Sequence, residues 1–395
     1  MRKQAGELFR ILGPDPMEFS RHPLWKPTLA LRIQFKSRQK SISFRDRISG
    51  FAGIHSLEFR KEKKQFALEW KIDSGDLPVL ARHLKTLAPG WADLSAQIHQ
   101  SWKGYSAGSH GMIRGRGKQV FRWNRRTQVM GVLNITPDSF SDGGRYLDPR
   151  RAADQALQMQ EDGADWIDVG GESTRPGARP VSAAEEKNRV LPVLRACAKA
   201  VRIPLSIDTY KAGVAEAAVG EGARLVNDIG ALSLDPAMAK TLARLKTPVI
   251  LMHMRGKPRT MQKNPRYDDV IGELIAFFRE RIRFAQENGI EEDRILIDPG
   301  FGFGKGPWHN LEILRRLWEF KIFGRPLVLG PSRKSTLGNL LGGVPPAERL
   351  DATLAAVTTA VLKGADLIRV HDVKNAVRAV KIADAVRYDR GLERP

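Results

Sequence analysis

Cysteine is almost missing from this chain of 395 residues: Cys197 is the only one, so neither an intramolecular disulfide nor a cysteine-rich zinc site can form. It sits in VLPVLRACAKAV, an apolar helical stretch, and reads as a small buried residue rather than a catalytic thiol. Long hydrophobic runs are also missing. LAAVTTAVL from Leu354 falls far short of the roughly 20 residues a membrane helix needs. The opening stretch MRKQAGELFRILGPDPMEFS is broken by Glu7, Arg10 and Pro14, which leaves no secretory core. A cytoplasmic protein without membrane contact is the expectation. No GxxxxGK[ST] loop, HExxH pair or histidine-rich cluster occurs, so a P-loop nucleotide site and a dedicated zinc centre are not expected. GFGFGKG from Gly300 has the wrong spacing for a dinucleotide fingerprint.

Acidic residues are scarce in one region only. Residues 1–128 carry 25 Lys and Arg against 10 Asp and Glu, which places +15 of the total +21 in the first third of the chain. Such a balance attracts a polyanion or docks on an acidic protein surface; docking is favoured here and nucleic-acid binding is not expected. Hydrophobic residues (42%) and aromatics (7%) are present at ordinary globular levels, so disorder and fibrous classes are set aside.

What the sequence does contain, from Gln128 onward, is a repeated unit: a short β-branched apolar run, a polar loop, and a helical pattern. Eight strands read VMGVLNI (from Val129), DWIDVGG (Asp165), PLSIDTY (Pro204), RLVNDIG (Arg224), PVILMHM (Pro248), ILIDPGF (Ile295), PLVLGPS (Pro326) and LIRVHDV (Leu367). Most are apolar until their last residues, as strands buried on both faces must be. Helical stretches such as those from Val270 and Glu348 lie between them. Eight alternations in about 260 residues favour an α/β (β/α)8 TIM barrel over an open doubly wound sheet.

Residues 1–105 lack this rhythm and read as a small basic α+β accessory domain. Its strands are expected at Thr28, Ser56 and Phe66, and its helices over DLPVLARHLKTLA from Asp76 and WADLSAQIHQSW from Trp91. Residues 106–127 form a Gly-, Ser- and Arg-rich linker whose end could make a hairpin plugging the barrel bottom, and the barrel takes 128–395.

In such barrels chemistry sits where strands finish. The strand ends here supply Asn134; Glu172, Ser173, Thr174 and Arg175; Asp208; Asn227 and Asp228; His253 and Met254; Asp298; Ser332, Arg333 and Lys334; and Arg369, His371 and Asp372. Taken singly, each has a structural explanation as a cap or a satisfied strand-end group. Together, carboxylates and an amide suit a planar donor–acceptor ligand, and Arg175, Lys334, Arg369 and His371 suit phosphate oxygens, with magnesium bridging Asn134 and phosphate.

GVLNITPDSFSDGG from Gly131 and IDVGGESTRPGA from Ile167 resemble the two signatures of dihydropteroate synthases. The likeness continues in order through SIDTY, VNDIG, LMHMRGKPRTMQ, IDPGFGFGKG, GPSRKS and RVHDV, over about Val129 to Arg387. Arg255 stands where a Gln is common in that family, and Pro331 precedes the serine of SRKS. The first hundred residues have no counterpart in it. The resemblance implies condensation of 6-hydroxymethyl-7,8-dihydropterin diphosphate with p-aminobenzoate, in folate synthesis, by a Mg2+-assisted homodimer. It implies that Asp208, Asn227, Asp298 and Lys334 hold the pterin, with Met254 and Phe303 lining its pocket. Asn134, Thr174, Arg175, Arg369 and His371 would hold diphosphate and magnesium, Asn134 as the metal ligand. Phe140, Pro176 and Ser335 would enclose p-aminobenzoate. Asp208, Arg175, Lys334, Arg369 and His371 are the expected catalytic groups. A corrinoid-dependent methyltransferase of similar barrel is the nearest alternative, disfavoured by TPDSFSDGG and SRKS. A catalytically dead barrel with a nucleic-acid-binding N-terminal part is disfavoured by the intact set of strand-end residues.

Overall fold

Alternating apolar residues in the first hundred positions fold as an antiparallel sheet with helices on one face. The computed structural model describes residues 8–13, 28–35, 37–49, 51, 54–61, 66–73, 76–87, 92–107, 112–117, 119–122, 126–135, 148–173, 178–256 and 260–388. Two units divide the chain: residues 1–110 together with 318–325, and residues 111–317 together with 326–395.

The first unit holds β1 (Leu8–Gly13), β2 (Thr28–Phe35), α1 (Arg38–Ile48), β3 (Ile54–Lys61), β4 (Phe66–Asp73), α2 (Leu77–Leu87) and α3 (Ala92–Ala107), with strand order β1-β2-β4-β3. Register places Phe9 opposite Ile33, Ile11 opposite Leu31, and Leu31 opposite Trp70, so one face of β1, β2 and β4 is apolar. Phe44 of α1 covers it, its ring centroid 5.5 Å from Phe35 and 5.9 Å from Trp70. Aromatic contacts of this kind add about 0.5–1.5 kcal/mol each beyond area burial.

The opposite face of the sheet is charged. Arg10, Arg32 and Glu69 lie side by side across β1, β2 and β4. Arg32 pairs with Glu69 at 2.7 Å, and Arg10 with Glu319 at 2.9 Å, both partners of the second pair being 2% exposed. Glu319 arrives from the distant segment Trp318–Arg325, which belongs to this unit although the flanking chain belongs to the other. The sequence pattern predicts neither β1 nor α1. α1 (RQKSISFRDRI) carries four basic residues and two serines, and buries only Ser41, Phe44 and Ile48. Its stripe is therefore too thin for a periodicity argument.

In the second unit β5 (Met112–Arg114) and β6 (Val120–Arg122) form a hairpin. There follow β7 (Gln128–Asn134), α4 (Pro149–Glu161), β8 (Trp166–Gly170), α5 (Ala183–Ala200), β9 (Leu205–Asp208), α6 (Ala212–Gly220), β10 (Ala223–Asp228), α7 (Met238–Leu245) and β11 (Val249–Met252). The unit continues with α8 (Val270–Glu287), β12 (Ile295–Asp298), α9 (Pro307–Arg315), β13 (Val328–Leu329), α10 (Ser335–Leu340), α11 (Leu350–Leu362), β14 (Leu367–Val370) and α12 (Val373–Tyr388).

Among the described residues, eight parallel strands run in the order β12-β11-β10-β9-β8-β7-β14-β13, and an Ile297–Leu327 bridge joins the two ends. The expected (β/α)8 barrel is therefore present. Cys197 is buried in α5, as its apolar setting implied, and burial lifts its thiol to about 11. No helix among the described residues is long and apolar enough to cross a membrane.

The hairpin sits under the barrel. Ile113 packs in one cluster with Met130, Trp166, Leu225, Ile250, Leu296, Val328 and Leu367, all near the N-terminal ends of their strands, and Phe121 lies 4.6 Å from the Trp166 ring. Gln128 ties the two parts together, accepting from the Trp166 indole at 2.6 Å and donating to Arg122 O at 3.1 Å. Arg294 donates to Gly115 O at 2.6 Å from below β12. The filled lower end leaves the C-terminal mouth for ligands.

Candidate active site

Strand register brings the polar strand ends to one level. Asn134 pairs with Gly170, Gly170 with Asp208, and Asp208 with Asn227, a continuous row around half the mouth. A side chain at Gly170 would meet Asp208 at 3.5 Å and Asn134 Oδ1 at 3.6 Å, so glycine there leaves the mouth open between them. Asp298 ends β12, level with Met252.

One layer below this row, level with Val132 and Ser206, lies a carboxylate that strand-end position does not point to. Asp168, in the middle of β8 and wholly buried, accepts from Arg369 Nε at 2.6 Å and from Asn227 Nδ2 at 3.0 Å. Arg369 Nη2 donates to Asp208 at 2.8 Å. The guanidinium thus clamps two carboxylates from different strands with two of its five N–H donors. A carboxylate inside an otherwise apolar parallel strand was the signal that could have found Asp168, since such a charge must be partnered.

The electrostatics follow from burial. Asp208 is held well above the usual carboxylate range by burial, with Asp168 and Glu186 adding and Arg369 and Lys334 opposing. Asp298 is raised to about 6 by burial, against the hydrogen bond from Gly300 N and the nearby cations Lys334 and Lys305. His371 is pressed down to about 3 by burial and by Arg369, Arg333 and Lys334. Those neighbours hold the imidazole in its neutral form. Ser332 Oγ accepts from His371 N at 3.2 Å and lies 3.0 Å from its Nδ1; if the hydroxyl donates to Nδ1, the ring proton sits on Nε2. Arg333, also at this strand end, is engaged by Asp372.

Lys334 caps the start of α10, and its Nζ stands 4.1 Å from the Phe303 ring centroid, a cation–π contact that fixes the two as neighbours. Ser335 is exposed at the first residue of α10, and Met254 is half-buried just beyond β11. Phe140, Thr174, Arg175 and Pro176 lie outside the described residues. Glu172, at the root of the second loop, is held aside by Lys211 and by Tyr210 Oη at 3.1 Å. Among the described residues no group of three His, Cys, Asp or Glu could cage a metal ion. Magnesium on a phosphate ligand needs no such cage, and the Asn134 oxygen at the mouth is the kind of single donor it uses.

The loop after β12 is built by close backbone approach. At Gly300, φ is +70° and a Cβ would fall 2.0 Å from His253 O. Gly300→Ala must therefore shift the loop and adopt strained backbone, costing about 1–3 kcal/mol for the dihedral alone. At about 2–4 °C per kcal/mol, a melting point lowered by several degrees is expected. An unchanged melting point would contradict the close approach.

The comparisons with known proteins agree on one family. The model described as pterin binding enzyme matches residues 130–371. The dihydropteroate synthase of Escherichia coli K12 is 48% identical over 257 residues, spanning 65% of this chain and 90% of its own length. That of Synechocystis is 46% identical over 270 residues, 68% of this chain and 93% of its own. Among solved structures, Yersinia pestis dihydropteroate synthase with a sulfonamide drug superposes with a TM-score of 0.67 at 45% identity, covering 70% of this chain and 99% of that one. The Xanthomonas albilineans enzyme with 4-aminobenzoic acid gives 0.65 at 42%, with coverage of 70% and 98%.

Proposed function

This chain belongs to the dihydropteroate synthase family of pterin-binding enzymes, and we infer from that premise and the strand-end geometry how its own residues divide the work. The reaction joins the amine of p-aminobenzoate to the methylene carbon of 6-hydroxymethyl-7,8-dihydropterin diphosphate, giving 7,8-dihydropteroate and diphosphate for folate synthesis. The observation that carries the residue assignment is the Asp168–Arg369–Asp208 clamp, with Asn227, Asp298 and Lys334 around the same mouth.

Asp298 and Asn227 present an acceptor and an amide to the pterin edge, Lys334 a donor to its carbonyl oxygen, and Phe303 and Met254 its apolar wall. Diphosphate leaves as the C–O bond breaks, and its growing charge is met by Arg369 and the neutral donor Nε2–H of His371. The methylene left behind is electron-poor, and ionised Asp208 faces it. The arylamine then forms the C–N bond and sheds its proton to solvent or diphosphate; it needs no strong base. Asn134 would hold magnesium, and a bound metal would supply further neutralisation of the leaving group. Thr174 and Arg175 complete the diphosphate site, and Phe140, Pro176 and Ser335 enclose p-aminobenzoate; those roles rest on family likeness. The assembly is a homodimer through the last helices. Ile382 and Val386, one turn apart on α12, stand 69% and 58% exposed and suit such a contact. A monomer by light scattering would refute it.

Incubating the protein with the pterin diphosphate, p-aminobenzoate and magnesium should release dihydropteroate and diphosphate in equal amounts, and no product would overturn the reading. Asp298 must be ionised to accept from the pterin, and burial raises it to about 6, so pterin use is full above that value and lost below it. The pH profile of kcat/KM for the pterin substrate should show an acid limb between about pH 6 and 7, with Asp208 contributing its upper part. A flat profile down to pH 5 would contradict this.

A further inference from the structure

The sequence contains a lysine, in GFGFGKG, that no part of the reaction uses. Lys305 is 2% exposed, yet among the described residues it forms no ion pair with a carboxylate. Its Nζ donates instead to Gly300 O at 3.0 Å and Phe303 O at 2.9 Å, and lies 2.9 Å from His253 Nδ1 and 3.3 Å from His253 O. One ammonium thus joins the end of β11 to both ends of the turn that carries Phe303. Asn310 continues the tie, accepting from Gly302 N at 2.8 Å and donating to Thr336 Oγ1 at 2.7 Å, two residues beyond Lys334. Tyr267 Oη closes it from outside on Gly304 O at 2.9 Å.

We propose that Lys305 is a positioning residue for pterin recognition: its buried ammonium fixes Phe303 against Lys334, and His253 beside Met254, so that the pocket wall stands ready before substrate arrives. This rests on the pterin-pocket reading above. A buried ammonium is costly, and burial presses Lys305 down to about 7, with Arg255 and Lys334 reinforcing the effect and only Asp298 opposing it. His253 is correspondingly held neutral by burial, Lys305 and Arg255. An apolar side chain would fill the space at no such cost, so three carbonyl contacts and the imidazole explain the charge where mere packing does not. Lys305 touches neither the reacting carbon nor diphosphate. Its loss should therefore appear in pterin binding rather than in the chemical step.

Steady-state kinetics on the full-length chain test this. Lys305→Met should raise KM for the pterin diphosphate at least tenfold, with KM for p-aminobenzoate within twofold and kcat within threefold of wild type. His253→Leu, which removes the ring acceptor, should act in the same direction, whereas His253→Asn, whose amide oxygen stands where Nδ1 stood, should restore a near-wild-type pterin KM. Folded Lys305→Met with unchanged pterin KM overturns the proposal, as does a proportional loss in kcat with both KM values kept. If Lys305→Met does not fold, the histidine pair decides: equal pterin KM for Leu and Asn overturns it. Lys334→Ala serves as the control. If that change raises pterin KM while the Lys305 and His253 changes do not, the proposal alone fails; if it too leaves pterin KM untouched, the pocket reading falls and the proposal with it.

Discussion

Arg369→Ala should lower kcat/KM for the pterin diphosphate by about 10²–10³-fold, the loss typical of removing one preorganised donor from a charge-developing site. Two effects act together. The leaving diphosphate loses a charge-assisted partner, and Asp168 and Asp208 lose the cation between them. Asp168 is 0% exposed, so an uncompensated pair there is destabilising by about 3–5 kcal/mol unless one carboxyl takes up a proton. Arg369 now lowers the Asp208 pKa; without it that carboxyl rises further, and the acid limb of the pH profile must move upward. Arg369→Lys keeps the charge but cannot span two carboxylates with one planar fork, so it should recover only part of the loss. Catalytic efficiency within tenfold of wild type for Arg369→Ala, with an unmoved acid limb, would remove the clamp from the mechanism.

That clamp also shows where the sequence stops being readable. Strands β7 to β14 were legible because burial on both faces forces near-continuous apolar runs, and their polar ends then announce the mouth. Asp208, Asn227, Asp298, Lys334 and Arg369 follow from position alone. Asp168 did not, because attention to strand ends passes over a carboxylate buried in mid-strand, and its partner is 201 residues away in the chain. Lys305 was hidden for a related reason: a lysine in a glycine-rich loop reads as solvated until the carbonyls around it are placed. Nor does composition report that Arg369, Arg333 and Lys334 crowd His371 and press its pKa down. In the first unit β1 escaped notice because its apolar residues alternate over only six positions, Leu8–Gly13.

Trp318–Arg325 bears on the fate of a shortened chain beginning at Gly111. All the site residues assigned above lie at or beyond Asn134, so catalytic groups are retained. The segment nevertheless belongs to the unit that is removed. In the intact chain Trp318, Glu319, Phe320, Lys321, Ile322 and Arg325 are all less than 9% exposed, and Glu319 holds Arg10. Without residues 1–110 the carboxylate can hydrate at little cost, but the apolar side chains cannot. Full burial of each of Phe and Ile is worth about 1.5–3 kcal/mol, and freshly exposed neighbours of this kind form a patch that drives association. The shortened chain should therefore melt well below the intact protein and aggregate on concentration, while its soluble fraction keeps synthase activity. Replacing Trp318, Phe320 and Ile322 in it by Ser, Lys and Thr should restore solubility without changing kcat/KM. A shortened chain that is as stable and soluble as the full-length protein would show that Trp318–Arg325 folds independently of the first unit. One that is folded, soluble and inactive would show instead that the first hundred residues shape the catalytic mouth.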